Sequence, residues 1–387
     1  MAAGLASQPL AGTMAAGASS PSQGRVGVSQ SVGGSGGEPR RILVTGAAGF
    51  IGSTFVHRRL ASTDDHVTVV DKLTYAGNPA NLRGLDEDPA SRDRYRFVRA
   101  DIADESLMRE LASDADAIVN FAAESHVDRS ILEPAAFLHT GVMGVYSLLE
   151  AARAEHERRG AGFRFVQVST DEVYGPVPEG LSVESDAMRP TSPYSAAKAA
   201  GEHLVAAYHE THGLDTVITR GANTYGPHQY PEKLIPLFVT NALDDEPLPM
   251  YGDGMQRRDW LFVSDHADGI GVALDRGLSG AAYNIPGDGV ERPNRAVTEA
   301  ILEALGKPWS LVRRVPDRPG HDRRYALDGS RLRALGWLPR VTFEEGIALT
   351  VSWYAENRDW WEPIKRGDWA DYYRAQYAWR LERSVEA

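Results

Sequence analysis

The chain contains no cysteine among its 387 residues. That absence excludes disulfide staples, cysteine nucleophiles and thiolate metal sites together, and no metal centre is expected. Positive charge is scarce as well, with 53 acidic side chains against 41 basic ones and a net charge of −12. A chain of that sign is a poor partner for a phosphate backbone. A nucleic-acid polymer is therefore not expected as a partner, while a local basic pocket for one nucleotide stays open. Long hydrophobic runs are also missing. No stretch approaches the roughly 18 apolar residues of a membrane span, and residues 1–40 show no basic leader ahead of an apolar segment. These absences predict a soluble, cytoplasmic protein that engages no membrane.

What is present is a globular composition. Apolar residues make up 42% of the chain, enough for a sizeable core, and the length suits two closely joined domains. Residues 1–40 are mostly Gly, Ala and Ser and offer no apolar face to offset the entropy of ordering, which predicts a disordered tail. Order is expected from Arg41. Short apolar, β-branched runs at RRILVTG, HVTVVD (66–71), RFVRAD (96–101), DAIVNFA (116–122), RFVQVST (164–170) and DTVITR (215–220) alternate with helical segments, including a long one over 131–158 and another over 193–212. Unbroken apolar strands alternating with helices indicate an α/β fold, a doubly wound parallel sheet covered on both faces. It should occupy 41–225. Residues 226–365 then form a smaller, mixed α/β substrate domain, with segments such as AYNIPG returning to the sheet, and 366–387 is a C-terminal extension.

Gly46, Gly49 and Gly52 stand at spacing three and three in TGAAGFIG, between the first strand and the first helix. Taken alone, such a triplet is only a tight strand-to-helix turn. In this context glycine lets a pyrophosphate approach the backbone, and the helix N-terminus supplies amides and a positive dipole end. Asp71 closes the second strand, where an acid accepts from ribose hydroxyls and repels a 2′-phosphate. That favours NAD over NADP, although the neighbouring Lys72 could tolerate the phosphate. Asp101, ending the third strand, is either an adenine neighbour or a solvated turn residue.

Tyr194 and Lys198 lie one helical turn apart in YSAAK. A nearby ammonium, with a cationic nicotinamide ring, can lower a phenol pKa towards neutrality, and the phenolate can then take a proton from a sugar hydroxyl as its hydride leaves. The same pair could be a surface contact, but its position after a dinucleotide loop favours chemistry. Thr170 ends the 164–170 strand, where its hydroxyl can hold the oxygen that Tyr194 deprotonates. Asp171 and Glu172 follow it. An arbitrary pair of this kind is a solvated acidic turn, but adjacent carboxyls at a strand's carboxyl end repel, so their environments can push one pKa up and leave the other ionised. One general acid beside one general base is what elimination of water requires.

Long segments carry a wider resemblance: DKLTYAGNPANL from Asp71, AAESHVDRSI from Ala122, STDEVYG from Ser169, SPYSAAKA from Ser192, PEKLIPLFVTNAL from Pro231 and DRPGHDRRYALD from Asp317. Over about 41–361 the chain resembles the nucleotide-sugar branch of the extended short-chain dehydrogenase/reductase family, and within it the 4,6-dehydratases. The resemblance implies a Rossmann domain with NAD lined by Phe50, Ile51, Asp71, Lys72, Thr74, Asp101, Ile102, Ala122, Ala123, Thr140, Tyr194 and Lys198. It implies a nucleotide-sugar, dTDP-glucose, held by Ser125, Thr170, Asn223, Lys233, Leu234, Tyr251, Arg258, Asn294, Asp317 and His321.

The implied activity is a lyase cycle in deoxysugar biosynthesis. It oxidises carbon 4, eliminates water across carbons 5 and 6, and returns hydride to carbon 6. Other nucleotide-sugar 4,6-dehydratases, 4-epimerases and decarboxylases share the scaffold, and a non-catalytic NAD-binding scaffold is the reading from another class; the acid pair argues against the epimerase and decarboxylase. Two positions depart from the family pattern: Gly141 follows Thr140 where asparagine is usual, and Thr224 follows Asn223 where a second asparagine is usual. The helices over 131–158 and 194–212 are expected to pair with their symmetry mates as a four-helix bundle, giving a homodimer.

Overall fold

The computed structural model describes residues 38–160 and 162–386. The tail expected over 1–40 lies outside the described residues except for its last three. Of these, Arg40 is anchored: its amide donates to Asp65 Oδ1 at 2.8 Å, and its guanidinium pairs with Asp275.

The first half alternates strand and helix: β1 (Arg41–Thr45), α1 (Phe50–Ser62), β2 (His66–Asp71), β3 (Tyr95–Arg99), α2 (Glu105–Ser113) and β4 (Ala117–Asn120). The predicted long helix over 131–158 is instead a broken run. It comprises α3 (Val127–Leu132), α4 (Pro134–Leu138), a π-turn over His139–Gly144, and α5 (Val145–Arg159). Pro134 explains the first break, because proline disfavours the helical region for the residue before it; Glu133 has φ −133° and ψ 67°. β5 (Arg164–Thr170), α6 (Pro193–His212) and β6 (Asp215–Gly221) follow as expected.

Next come β7 (Asn223–Tyr225), α7 (Leu234–Leu243), β8 (Leu248–Tyr251), β9 (Arg257–Phe262), α8 (Val263–Arg276) and β10 (Ala281–Ile285). β10 returns to the main sheet, as expected for AYNIPG. That sheet has seven strands, all parallel, in the order β10-β6-β5-β4-β1-β2-β3. The α/β class and the parallel sheet are thus as predicted. The order reverses between β1 and β4, so a crevice opens there beyond the carboxyl ends of the strands. Register brings the functional ends level: Thr45 pairs with Asn120, Asn120 with Gln167, and Thr170 with Gly221.

The remaining elements are β11 (Glu291–Pro293), α9 (Asn294–Leu305), β12 (Val312–Val315), α10 (Ser330–Ala334), α11 (Phe343–Glu356), α12 (Arg358–Arg366), α13 (Asp368–Tyr373), α14 (Trp379–Glu382) and β13 (Val385–Glu386). They add two three-stranded sheets, β11-β9-β7 and β13-β12-β8. An aromatic core that includes Tyr225, Phe238, Trp260, Tyr354, Trp360 and Trp361 holds this part together. Among the described residues no helix is long and apolar enough to cross a membrane.

Candidate active site

One cleft runs along the carboxyl edge of the sheet and into the second part of the molecule. Every site residue predicted from sequence borders it except Asp317. Asp317 stands one step back and accepts from His321 Nδ1 at 2.6 Å and from Gln256 Nε2 at 2.9 Å.

At one end lies the glycine loop. Gly46 has φ +70°, and a Cβ there would sit 2.5 Å from the backbone of Ala122, so only glycine lets β1 and β4 release their chains side by side. Phe50, Ile51 and Gly52 open α1, where the first amides find no partner within the helix. Asp71 accepts from the amides of Ala48 (3.0 Å) and Leu73 (2.8 Å), which ties the loop to β2. Burial pushes its carboxyl above the ordinary range against the pull of those amides and of Lys72. Lys72 itself is engaged by Asp101, Nζ to Oδ2 at 3.2 Å. Thr74, Ile102, Ala123 and Thr140 complete this end, and the Thr140 hydroxyl is buried without a protein partner.

The middle of the cleft holds the proton-transfer groups. α6 starts at Pro193 behind a capping box, in which Ser192 and Ser195 each accept the other's amide at 3.1 Å. The cap places Tyr194 in the first turn and Lys198 one turn further, on the face turned to β5. Tyr194 and the Thr170 hydroxyl border the same part of the cleft. Lys198 Nζ donates to the Val168 carbonyl at 2.6 Å, and burial lowers its pKa to about 8. In the protein alone Tyr194 is not acidified. Burial pushes the phenol well above its ordinary value, and the charges of Glu172 and Asp171 add to the shift, so an outside positive charge is needed to reverse it.

β5 hands the chain to a 3-10 turn over Asp171–Tyr174, with Thr170 as its cap. The Thr170 hydroxyl donates to Asp171 Oδ1 at 3.1 Å and accepts from the Glu172 amide at 3.3 Å. Asp171 is pushed up to about 7, first by burial and then by Glu172, against the charge of Arg258. Glu172 is raised too, by burial, but the cations Lys233, Arg318 and Arg258 oppose the rise. The pair does not divide into one raised and one ordinary carboxyl. Both are raised, and their surroundings differ in which cations face them.

The far end is cationic and aromatic. Lys233 Nζ donates to the Ser125 carbonyl at 2.7 Å, Tyr251 donates to Asp128 Oδ2 at 3.0 Å, and the buried Arg258 lies 4.4 Å over the Tyr325 ring. Asn223, Leu234 and Asn294 line the same end. Sequence reasoning missed Arg318, whose buried Nη1 has no protein partner, although it stands inside the quoted DRPGH segment. Tyr377 was missed as well. It lies in the C-terminal extension, where no motif pointed to a site, and stacks on Tyr251 with ring centroids 6.0 Å apart.

Both departures lie in close packing or hydrogen bonding. A Cβ at Gly141 would come within 3.2 Å of the Ala197 side chain, so the π-turn packs directly on α6. Thr224 Oγ1 lies 3.0 Å from the Ala222 carbonyl and 2.7 Å from His266 Nδ1. Its single proton goes to the carbonyl, so His266 donates from Nδ1.

Fold and site together define a Rossmann-type dinucleotide-binding protein whose cleft continues into a cationic, aromatic end. More narrowly, the chain belongs to the nucleotide-sugar dehydratase and epimerase family, for the family model described as GDP-mannose 4,6 dehydratase matches residues 43–350. A dTDP-glucose 4,6-dehydratase of Streptomyces niveus is 53% identical over 334 residues, covering 85% of this chain and 96% of that protein. The crystal structure of DesIV, a dTDP-glucose 4,6-dehydratase from Streptomyces venezuelae with NAD bound, superposes with a TM-score of 0.79 at 52% identity, covering 84% of this chain and 100% of that one. A UDP-glucose 4-epimerase from Thermus thermophilus, also with NAD, is more distant. It is 34% identical with a TM-score of 0.73, over 82% of this chain and 99% of the other.

Proposed function

We propose that this protein is an NAD-dependent dTDP-glucose 4,6-dehydratase, a hydro-lyase forming dTDP-4-dehydro-6-deoxyglucose. The observation that carries the reading is the acid pair Asp171–Glu172, the first carboxyl buried and the second half-buried, beside Tyr194 at the end of β5. An epimerase has no water to eliminate and no use for it. Relatives of about half identity with the same printed activity support the choice of dTDP-glucose.

The cradle at Gly46 and Gly49, the open amides of α1, the Asp71 carboxylate and the unpartnered Thr140 hydroxyl fit a dinucleotide. NAD, when bound, supplies the hydride acceptor and donor together with a positive ring. The chain's own residues move the protons. Tyr194, beside Thr170, takes the proton of the sugar's 4-hydroxyl. Glu172 abstracts the proton on carbon 5, acidified by the new ketone, and Asp171 protonates the 6-hydroxyl as it departs. Arg258, Arg318 and Lys233 hold the diphosphate and sugar.

The same proposal includes a homodimer. Leu138, Met143 and Tyr146 are 51%, 52% and 37% exposed on the segment preceding and opening α5, an apolar face suited to a symmetry mate. A monomer in sedimentation at micromolar concentration would contradict it. A cytoplasmic location follows as part of the proposal, since both ligands are multiply charged nucleotides that do not cross membranes unaided. The function is tested by turnover of dTDP-, UDP-, CDP- and GDP-glucose, followed by keto-sugar absorbance. A keto product formed fastest from dTDP-glucose is expected, and a 4-epimer or no product from any of the four refutes the reading.

A further inference from the structure

Asn81 has no role in the site described so far. It lies in the 3-10 turn Pro79–Leu82, 2% exposed, and its side chain joins two parts of the molecule. Nδ2 donates at 2.9 Å to the carbonyl of Ala48, inside the glycine loop. The same carbonyl accepts from the Asn78 amide at 3.0 Å, and the Ala48 amide is held by Asp71. Oδ1 faces the other way and accepts from Trp360 Nε1 on α12 at 2.9 Å, and from His228 Nδ1, in the loop after β7, at 3.0 Å. The Asn81 main-chain carbonyl accepts from His57 Nε2 of α1 at 2.9 Å.

An asparagine amide has two orientations, and here the neighbours choose one. Indole nitrogen only donates, and a main-chain carbonyl only accepts. Turning the amide over would set its NH2 against the Trp360 donor and its oxygen against the Ala48 carbonyl, leaving buried groups unpaired at both ends. The Trp360 and His228 donors therefore aim Nδ2 at the glycine loop. His228 is itself held by aromatic packing, 4.5 Å from Trp353 and 5.7 Å from Trp360 between ring centroids.

We propose that Asn81 is a positioning residue for the cofactor loop, oriented by Trp360 and His228, so that the docking of α11 and α12 sets how tightly the loop holds its dinucleotide. The inference rests on the NAD reading above. It makes NAD release depend on an indole in a helix that lies about 280 residues along the chain from the turn carrying Asn81 and outside the dinucleotide cradle.

The test measures NAD release from the purified full-length protein, by gel filtration and quantitation of retained nucleotide, well below the melting temperature. Asn81→Asp and Trp360→Phe should each speed release roughly 5- to 10-fold, the worth of one hydrogen bond, and the double variant should be no faster than Asn81→Asp alone. Trp361→Phe is the control. Its indole is fully buried and donates to the Tyr354 carbonyl at 2.7 Å, away from Asn81, so its loss should lower the melting temperature without changing release. Unchanged release in Trp360→Phe, or equal acceleration in Trp361→Phe, overturns the proposal while leaving the function intact. A wild-type protein that holds no NAD overturns the functional reading, and this inference with it.

Discussion

Replacing Asp171 by asparagine should move stability and rate in opposite directions. The carboxyl is 4% exposed, and its pKa is pushed up to about 7 by burial and then by the charge on Glu172. The ordinary value, which the unfolded chain regains, is 3.8. Between these values the unfolded chain has released a proton that the folded chain keeps. Unfolding therefore becomes easier as pH rises through that window, and the loss persists above it. At about 1.4 kcal/mol per unit, the window bounds the cost at roughly 4 kcal/mol. Asparagine has nearly the same shape, keeps an oxygen for the Thr170 hydroxyl and carries no charge to bury. Asp171→Asn should thus gain about 1–4 kcal/mol in urea unfolding at pH 8 and almost nothing at pH 4. Dehydration should fall by about 10²–10⁴-fold, the usual loss for a missing general acid. The wild type should lose activity as pH rises through about 7, with roughly a tenth of the acid still protonated one unit higher. A variant less stable than wild type at pH 8, or one that dehydrates normally, refutes this account of the acid.

Glu172→Gln should halt the cycle after the first oxidation, so reduced cofactor and a 4-keto-glucose nucleotide accumulate, visible by absorbance and mass spectrometry; normal dehydration in this variant removes Glu172 as the base. Tyr194→Phe should show neither signal, because the first hydride transfer fails. Away from the chemistry, Arg220 grips Glu202 at 2.8 and 2.7 Å with both side chains buried, and also donates to Tyr174 in the acid turn at 2.6 Å. Arg220→Met should cost about 3–5 kcal/mol in urea unfolding by stranding that carboxylate, and adding Glu202→Leu should recover most of it.

The parallel sheet was legible because each of its first six strands is a short apolar run closed by a turn, a local signal. The broken helix near Pro134 was not, since the apolar periodicity continues across the break. The strands β7, β8, β11, β12 and β13 escaped notice for another reason: each has two to four residues and is specified by partners far along the chain. The site follows the same division. The glycine loop, Tyr194–Lys198 and the Asp171–Glu172 pair are contiguous motifs, whereas Tyr377 reaches the cleft through long-range packing, with Gln376 bonded to Asp128 and Tyr251 and β13 paired with β12. Pairing of Tyr with Lys suggested a phenol that the ammonium and a cationic ring together would acidify. Only the structure reveals Lys198 bonded to Val168 and two carboxyls facing Tyr194.

The central claim is that one hydride leaves carbon 4 and returns to carbon 6 of the same sugar while three side chains move the protons. The most direct test uses dTDP-glucose carrying deuterium on carbon 4, turned over by the wild-type protein in ordinary water, with the product examined by NMR and mass spectrometry. The account predicts that the label appears in the 6-methyl group of the same molecule and that solvent hydrogen occupies carbon 5. Label lost to solvent, or retained on carbon 4 of an unoxidised sugar, would contradict it.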